Sequence, residues 1–306
     1  MKLLLLAILN CSLLSSIAEA QVSSNFLDET QPRHELGFIL IGLQTPFYPG
    51  AKQSKFRFFP FPFGIYRGDV LRADDEGTRA RLINPTSYEL GISLDFNFPV
   101  DSEDTNLRKG MPSLDSVIQI GPRFLYRFLT DNPLQKLNLS LAVRGAASTN
   151  FKSRFTGRGI AFEPQVSFWN RWPGIETTFF SYFSLSISSS ELNSYFYDVD
   201  NSYVNTQRSP YTAKAGLIET TLGMGFQRNI TDRISAFTAG SYRNLNWSAN
   251  KDSPLVETKD NIGFVIASLR SNSKWNRQNK NGQTSKDSHA SNVVSQCCLR
   301  WCCFRL

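Results

Sequence analysis

Residues 87–98 (SYELGISLDFNF) alternate without a break. Tyr88, Leu90, Ile92, Leu94, Phe96 and Phe98 hold one parity, and Ser87, Glu89, Gly91, Ser93, Asp95 and Asn97 hold the other. Successive strand residues point to opposite faces, so this segment has one apolar face and one polar face. Soluble strands run to about five or six residues, whereas a tilted strand crossing a bilayer needs about 9–11. The segment is therefore long enough to cross a membrane, with lipid on one side and a polar interior on the other.

The same design recurs. Leu137, Leu139, Leu141 and Val143 alternate with Asn138, Ser140, Ala142 and Arg144. Ile160, Phe162, Pro164, Val166 and Phe168 alternate with Ala161, Glu163, Gln165 and Ser167, and Pro164 lacks a ladder donor, which weakens its strand locally. Ile218, Thr220, Leu222, Met224 and Phe226 alternate with Glu219, Thr221, Gly223 and Gly225. The pattern predicts strands near 36–44, 56–66, 69–74, 78–84, 87–98, 115–128, 135–148, 158–169, 175–189, 211–227, 233–246 and 260–270. That even number suits a closed single-chain barrel. Ten is the alternative, because residues 56–63 (FRFFPFPF) carry two prolines and alternate poorly.

Short turns (Asn84-Pro85-Thr86, Thr130-Asp131-Asn132-Pro133, Arg171-Trp172-Pro173-Gly174 and Asn229-Ile230-Thr231-Asp232) take turns with longer polar stretches at 99–114, 149–157, 190–210 and 247–259. Short periplasmic turns and longer outer loops are the connectivity of a bacterial outer-membrane barrel. A soluble β-sandwich would also alternate, with shorter strands and less asymmetric loops. Aromatics near strand ends (Phe58, Phe59, Phe61, Tyr66, Phe128, Trp169, Trp172, Tyr242 and Trp247) read as interfacial girdles.

The chain's ends differ from this body. Residues 1–20 open with Lys2, continue in an apolar run from Leu3 and close on Ala18-Glu19-Ala20, as in a secretory signal peptide. A lipoprotein signal at Cys11 is the competing reading, opposed by Asn10 where a small residue is expected. Residues 271–306 form a polar, basic tail ending in CCLRWCC, and residues 21–296 contain no cysteine. Four thiols so close together could take a soft metal, although adjacent cysteines restrict tetrahedral geometry. The tail accounts for +5 of the formal +7, leaving the body only mildly basic. The charge therefore gives no nucleic-acid-binding face. The expected organisation is signal peptide 1–20, barrel 21–270 and tail 271–306.

Chemistry finds little support. The body holds one histidine, His34, and its serines, such as Ser186, Ser188, Ser189 and Ser190, read as lumen and loop surface rather than as activated nucleophiles. No cofactor is implied. The acidic clusters Asp74-Asp75-Glu76 and Asp101, Glu103 and Asp104 fall on predicted outer loops and read as solvated turns or, less simply, as contacts to cations bridging lipopolysaccharide. The sequons at Asn138 and Asn229 mean nothing in a bacterial barrel.

Four segments carry a resemblance: residues 45–50 (TPFYPG), 59–63 (FPFPF), 110–115 (GMPSLD) and 252–256 (DSPLV), with Tyr203, Arg208 and Tyr211 spaced before a glycine-containing strand. In this order they resemble the MipA/OmpV family over roughly residues 35–270. The resemblance implies a non-enzymatic outer-membrane barrel. It would act as a scaffold joining a murein-degrading lytic transglycosylase to a penicillin-binding protein, with no catalytic residues to carry over. The tail beyond residue 270 departs from the usual barrel ending on an aromatic residue of the last strand.

Partner contacts are expected on the periplasmic turns around Asn84, Asp131, Trp172 and Asp232. A passive channel for small solutes is the rival. Twelve strands can enclose a lumen, and Glu89, Asp95, Arg144, Glu163 and Glu219 fall on the lumen-facing parity, either paired across the interior or lining a narrow pore.

Overall fold

The computed structural model describes residues 34–67, 72–74, 77–78, 87–150, 155–231 and 234–271. The predicted signal peptide 1–20 and nearly all of the tail 271–306 lie outside them, as do Asn84, Asp75, Glu76 and Asp232. The described chain is an antiparallel up-and-down sheet. Its long strands are β1 His34–Pro46, β2 Ser54–Arg67, β5 Tyr88–Asn97, β6 Ser116–Phe128, β7 Gln135–Thr149, β8 Thr156–Trp172, β9 Thr177–Ser188, β10 Gly216–Thr231, β11 Ile234–Asn244 and β12 Asp260–Ser271. Two short pieces, β3 Arg72–Asp74 and β4 Gly77–Thr78, lie between β2 and β5 among undescribed residues, where strands 69–74 and 78–84 were expected. The long strands thus number ten.

The spatial order is β4-β3-β2-β1-β12-β11-β10-β9-β8-β7-β6-β5, so the first and last long strands of the chain are neighbours. Gly37 to Gln44 of β1 register against Ser271 to Phe264 of β12. The sheet curls into a barrel. Ile39, Ile41 and Leu43 of β1 share one buried cluster with Phe180 and Tyr182 of β9, although three strands separate β1 from β9 in the sheet. Across the sheet, Phe59 of β2 stacks on Phe98 just after β5, with ring centroids 5.6 Å apart, and the Arg57 guanidinium lies 4.5 Å from the Phe98 ring.

The outward parity is apolar and uncovered. Ile92 is 62% exposed, Ile262 72% and Ile266 51%, and Phe38, Leu40, Phe56, Phe58 and Met224 are exposed with them. A belt of this kind marks a lipid-facing surface. Substituting Ile266→Arg, mid-strand on β12, is expected to weaken folding into bilayers by about 2–4 kcal/mol. Denaturant titration in lipid vesicles measures it, and an unchanged midpoint would remove Ile266 from the lipid face.

The prolines of β2 sit where a missing donor is tolerated. Pro60 pairs opposite Leu40 and Pro62 opposite Phe38, while on the other side β3 reaches only Tyr66 and Arg67. Over the prolines β2 is therefore an edge strand among the described pairings. Pro164 has the local effect expected of it: β8 pairs with β9 at Phe162 and again at Gln165, but not at Glu163 or Pro164.

The girdle assignment needs correcting at three residues. Phe59, Phe61 and Trp169 pack against the interior cluster rather than ringing the outside. Phe58, Phe128, Trp172 and Tyr242 do face outward, and Trp247 is exposed on a loop. Segment 211–215 is also not strand. Tyr211 makes only an isolated bridge with Val199, Ala213 N donates to Asp198 Oδ1 and Lys214 N to Asn250 Oδ1, and β10 starts only at Gly216. One helix, α1 Ser190–Tyr197, occupies the start of a predicted polar loop.

Candidate functional site

Two features define what this barrel can do: an interior filled by side chains, and long loops folded together over one end.

The interior has two walls. On β9 to β2 it carries an apolar cluster that aromatic rings cross, with buried polar residues such as Glu219, Gln227 and Arg243 beside it: Phe180 stacks on Phe237 at 5.3 Å and meets Trp169 at 5.3 Å. Glycine makes this possible. A Cβ on Gly223 would lie 2.1 Å from the Tyr182 ring, and one on Gly225 would lie 2.6 Å from the Phe180 ring. β10 therefore presents bare backbone where two rings lie flat against it.

On β5 to β8 the interior is polar and charged. Glu89 accepts from Arg127 and lies 4.0 Å from Arg123. Arg144, 5% exposed, bonds Glu163 with one nitrogen and donates to Ser93 Oγ at 2.9 Å with another, bridging β5 to β8. Asp95 accepts from Gln119 Nε2 at 2.7 Å. Glu219, on β10, faces Arg243 of β11 at 3.8 Å, and both are buried. All five lumen candidates are thus interior residues in polar contact with a neighbour, four of them on β5 to β8 and Glu219 on β10. The structure brings Arg144 and Glu163 together and leaves Glu219 apart from them with Arg243. The arginines opposite Glu89 and Glu219 belong to the same polar-parity signal but were not singled out in the sequence.

The second feature is the cap. Connections 47–53, 98–115, 189–215 and 245–259 converge on one buried cluster that includes Tyr48, Met111, Phe196, Tyr197, Val199 and Leu255. Hydrogen bonds between distant segments hold it. Tyr48 Oη donates to Leu255 O at 2.9 Å, Tyr197 Oη to Pro49 O at 3.1 Å, and Ser253 Oγ to Tyr197 O at 2.9 Å. Gly50, at φ +90, donates to Asn261 Oδ1, and its carbonyl accepts from Glu257 and Thr258. No L side chain adopts that backbone easily, and a Cβ there would press on Val256 and Leu245 at 3.1 and 3.2 Å. Burial raises the Tyr48 phenol above its ordinary value, against the opposing pull of Arg108, so it stays a donor. Where the cap meets the barrel, a niche of about 20 Å³ lined by Tyr48, Phe98 and Arg243 has room for one water.

The motifs at 110–115, 203–211 and 252–256, and 45–50 from Phe47 on, lie in this cap, while 59–63 lies in β2. Sequence reasoning placed them in order along the chain but had no signal for their convergence.

Of the four turn candidates, two are described. Asp131 is exposed in the β6–β7 turn, beside Leu129, which is 90% exposed. Trp172 is the last residue of β8 rather than a turn residue, and its ring stacks outward with Phe179 at 6.3 Å and Phe226 at 6.4 Å. Among the described residues no group of His, Cys, Asp or Glu is arranged to hold a metal ion.

The family model for "MltA-interacting protein MipA" matches residues 39–270. No curated protein sequence matches the chain. Among solved structures, the chain is similar to a bacterial polysaccharide outer membrane secretin, at 9% identity and TM-score 0.37, covering 78% of this chain and 97% of that one. It is similar to the toluene transporter TbuX of Ralstonia pickettii at 10% identity and TM-score 0.30, covering 78% and 88%. It is also similar to an anion-selective porin from Comamonas acidovorans at 9% identity and TM-score 0.31, covering 78% and 98%. These three are loose likenesses.

Proposed function

The chain belongs to the MltA-interacting protein MipA family, and from that premise we propose that this outer-membrane barrel is a non-enzymatic scaffold. It holds a lytic transglycosylase, and with it a penicillin-binding protein, at the periplasmic face, while its outer face contacts lipid and lipopolysaccharide. The observation that supports this reading is the packed interior: among the described residues, rings fill the β9 to β2 side, ion pairs bridge the β5 to β8 side, and a folded cap covers one end. A passive channel needs an open path, and a docking body does not.

The docking end is the one with short turns. The β6–β7 turn offers Leu129, bare to solvent, next to the carboxylate of Asp131. An exposed leucine flanked by charge suits a protein contact whose core is small and apolar. Capture of a purified lytic transglycosylase on the immobilised barrel tests the proposal. Micromolar or tighter binding is expected, with Leu129→Asp weakening it by about tenfold or more, equivalent to roughly 1.4 kcal/mol. Absence of capture by a barrel shown to be folded would overturn the scaffold reading. Capture that ignores Leu129→Asp would move the contact elsewhere.

A further inference from the structure

Five arginines are buried in the described structure: Arg108, Arg123, Arg144, Arg208 and Arg243. Arg123, Arg144 and Arg243 each have a glutamate within 4.0 Å. Arg108 and Arg208, 4% and 6% exposed, have no carboxylate at that distance among the described residues. Both lie in the cap, outside the membrane-crossing strands. Arg108 donates to Phe196 O at 3.0 Å and Pro112 O at 3.3 Å, and its guanidinium lies 5.8 Å from the Tyr48 ring. Arg208 donates to Leu107 O and Lys109 O, both at 2.9 Å, so its guanidinium sits against the backbone on either side of Arg108. The Nε of each is buried without a hydrogen-bond partner.

Carbonyl contacts orient a guanidinium but do not neutralise it. Two like charges taken out of water side by side are costly unless a counter-charge joins them. Burial and the neighbouring Arg208 both disfavour the charged form of Arg108, and only the Tyr48 and Tyr195 phenols act the other way. Elsewhere in this chain a glutamate meets the same need. Here the fold leaves the buried Nε donor of each guanidinium without a partner, one contributed by each of two loops. Forked N–H donors of this kind match the spacing of oxyanion oxygens.

We propose that Arg108 and Arg208 form a receptor for a small inorganic oxyanion, phosphate or sulfate, which ties the β5–β6 and β9–β10 connections of the cap together. The site lies within the cap, so a free ion fits it better than the headgroup of a lipid.

Titration calorimetry of the refolded full chain in neutral detergent with inorganic phosphate, at constant ionic strength, tests this. Saturable binding of one phosphate is expected. Arg208→Gln should weaken it by about tenfold or more, the loss of a charge-assisted contact. Arg208→Lys should fall between, and Arg228→Gln, an exposed arginine on β10, should bind like wild type. If Arg208→Gln fails to fold, the wild-type chain decides alone: its Tm should rise with phosphate and not with an equal ionic strength of a bulky organic anion. No saturable binding, equal binding by Arg208→Gln, or a response only to phospholipid added to the micelle would overturn the proposal.

Discussion

Arg243→Ala is expected to destabilise the barrel by about 3–5 kcal/mol, the loss that follows when one partner of a buried ion pair is removed. Glu219 is 1% exposed, its nearest cation is Arg243 at 3.8 Å, and its Oε2 has no hydrogen-bond partner. Without Arg243 that carboxylate is left buried with no counter-charge. The double variant Arg243→Met with Glu219→Gln removes both charges and keeps most of the volume, so it should recover much of the loss. Urea unfolding in detergent micelles, followed by tryptophan fluorescence, measures both. If the single and double variants unfold together, the loss comes from packing and the pair carries no electrostatic weight.

The second large effect is expected at Phe180. Its side chain is 1% exposed, stacks on Phe237, meets Trp169 and occupies the space left by the missing Cβ of Gly225. Phe180→Ala should cost about 3–5 kcal/mol, transfer and cavity terms together. The cavity cannot close by collapse, because a ladder of backbone hydrogen bonds fixes the wall around it. Gly225→Ala acts on the same contact from the other side: its Cβ meets the Phe180 ring at 2.6 Å and Thr238 O at 2.4 Å. It should cost about 1–3 kcal/mol by overpacking. Because Thr238 O is backbone, adding Phe180→Ala to Gly225→Ala should relieve only part of that. Full relief would mean that the ring alone limits the fit.

These two sites also show what the sequence could reveal. Strand alternation presumes a polar interior, and on β5 to β8 the interior is polar: Glu89, Asp95, Arg144 and Glu163 stand out against Leu90, Leu94, Val143 and Phe162. The boundaries read there match the strands to within a few residues. On β1 and β2 both faces are apolar. Ile39, Ile41 and Phe59 point inward while Phe38, Leu40 and Phe58 point outward, so the two-residue period vanishes and these strands read as uncertain. Phe59, Phe61 and Trp169 read as girdle residues for the same reason: nothing local separates a ring facing lipid from a ring filling the lumen.

The cap was illegible for another reason. Tyr48, Met111, Phe196 and Leu255 are far apart in sequence, in segments rich in Pro, Asp, Asn and Ser that read as polar loops. Their burial depends on hydrogen bonds such as Tyr48 to Leu255, across 207 positions, which no periodicity encodes. The α1 helix is only eight residues long; its Ser189 N-cap and first-turn Glu191 sit in a serine-rich stretch that reads equally as polar loop.

Interior side chains and the folded cap together leave little room for a solute path among the described residues. Single-channel recording of the refolded chain in a planar bilayer tests that claim most directly, with folding confirmed by heat-modifiable gel migration. The filled lumen and the cap predict a silent bilayer across the usual voltage range. Steady openings whose conductance scales with salt and changes in Arg144→Gln would contradict it and make the charged wall of β5 to β8 the lining of a pore.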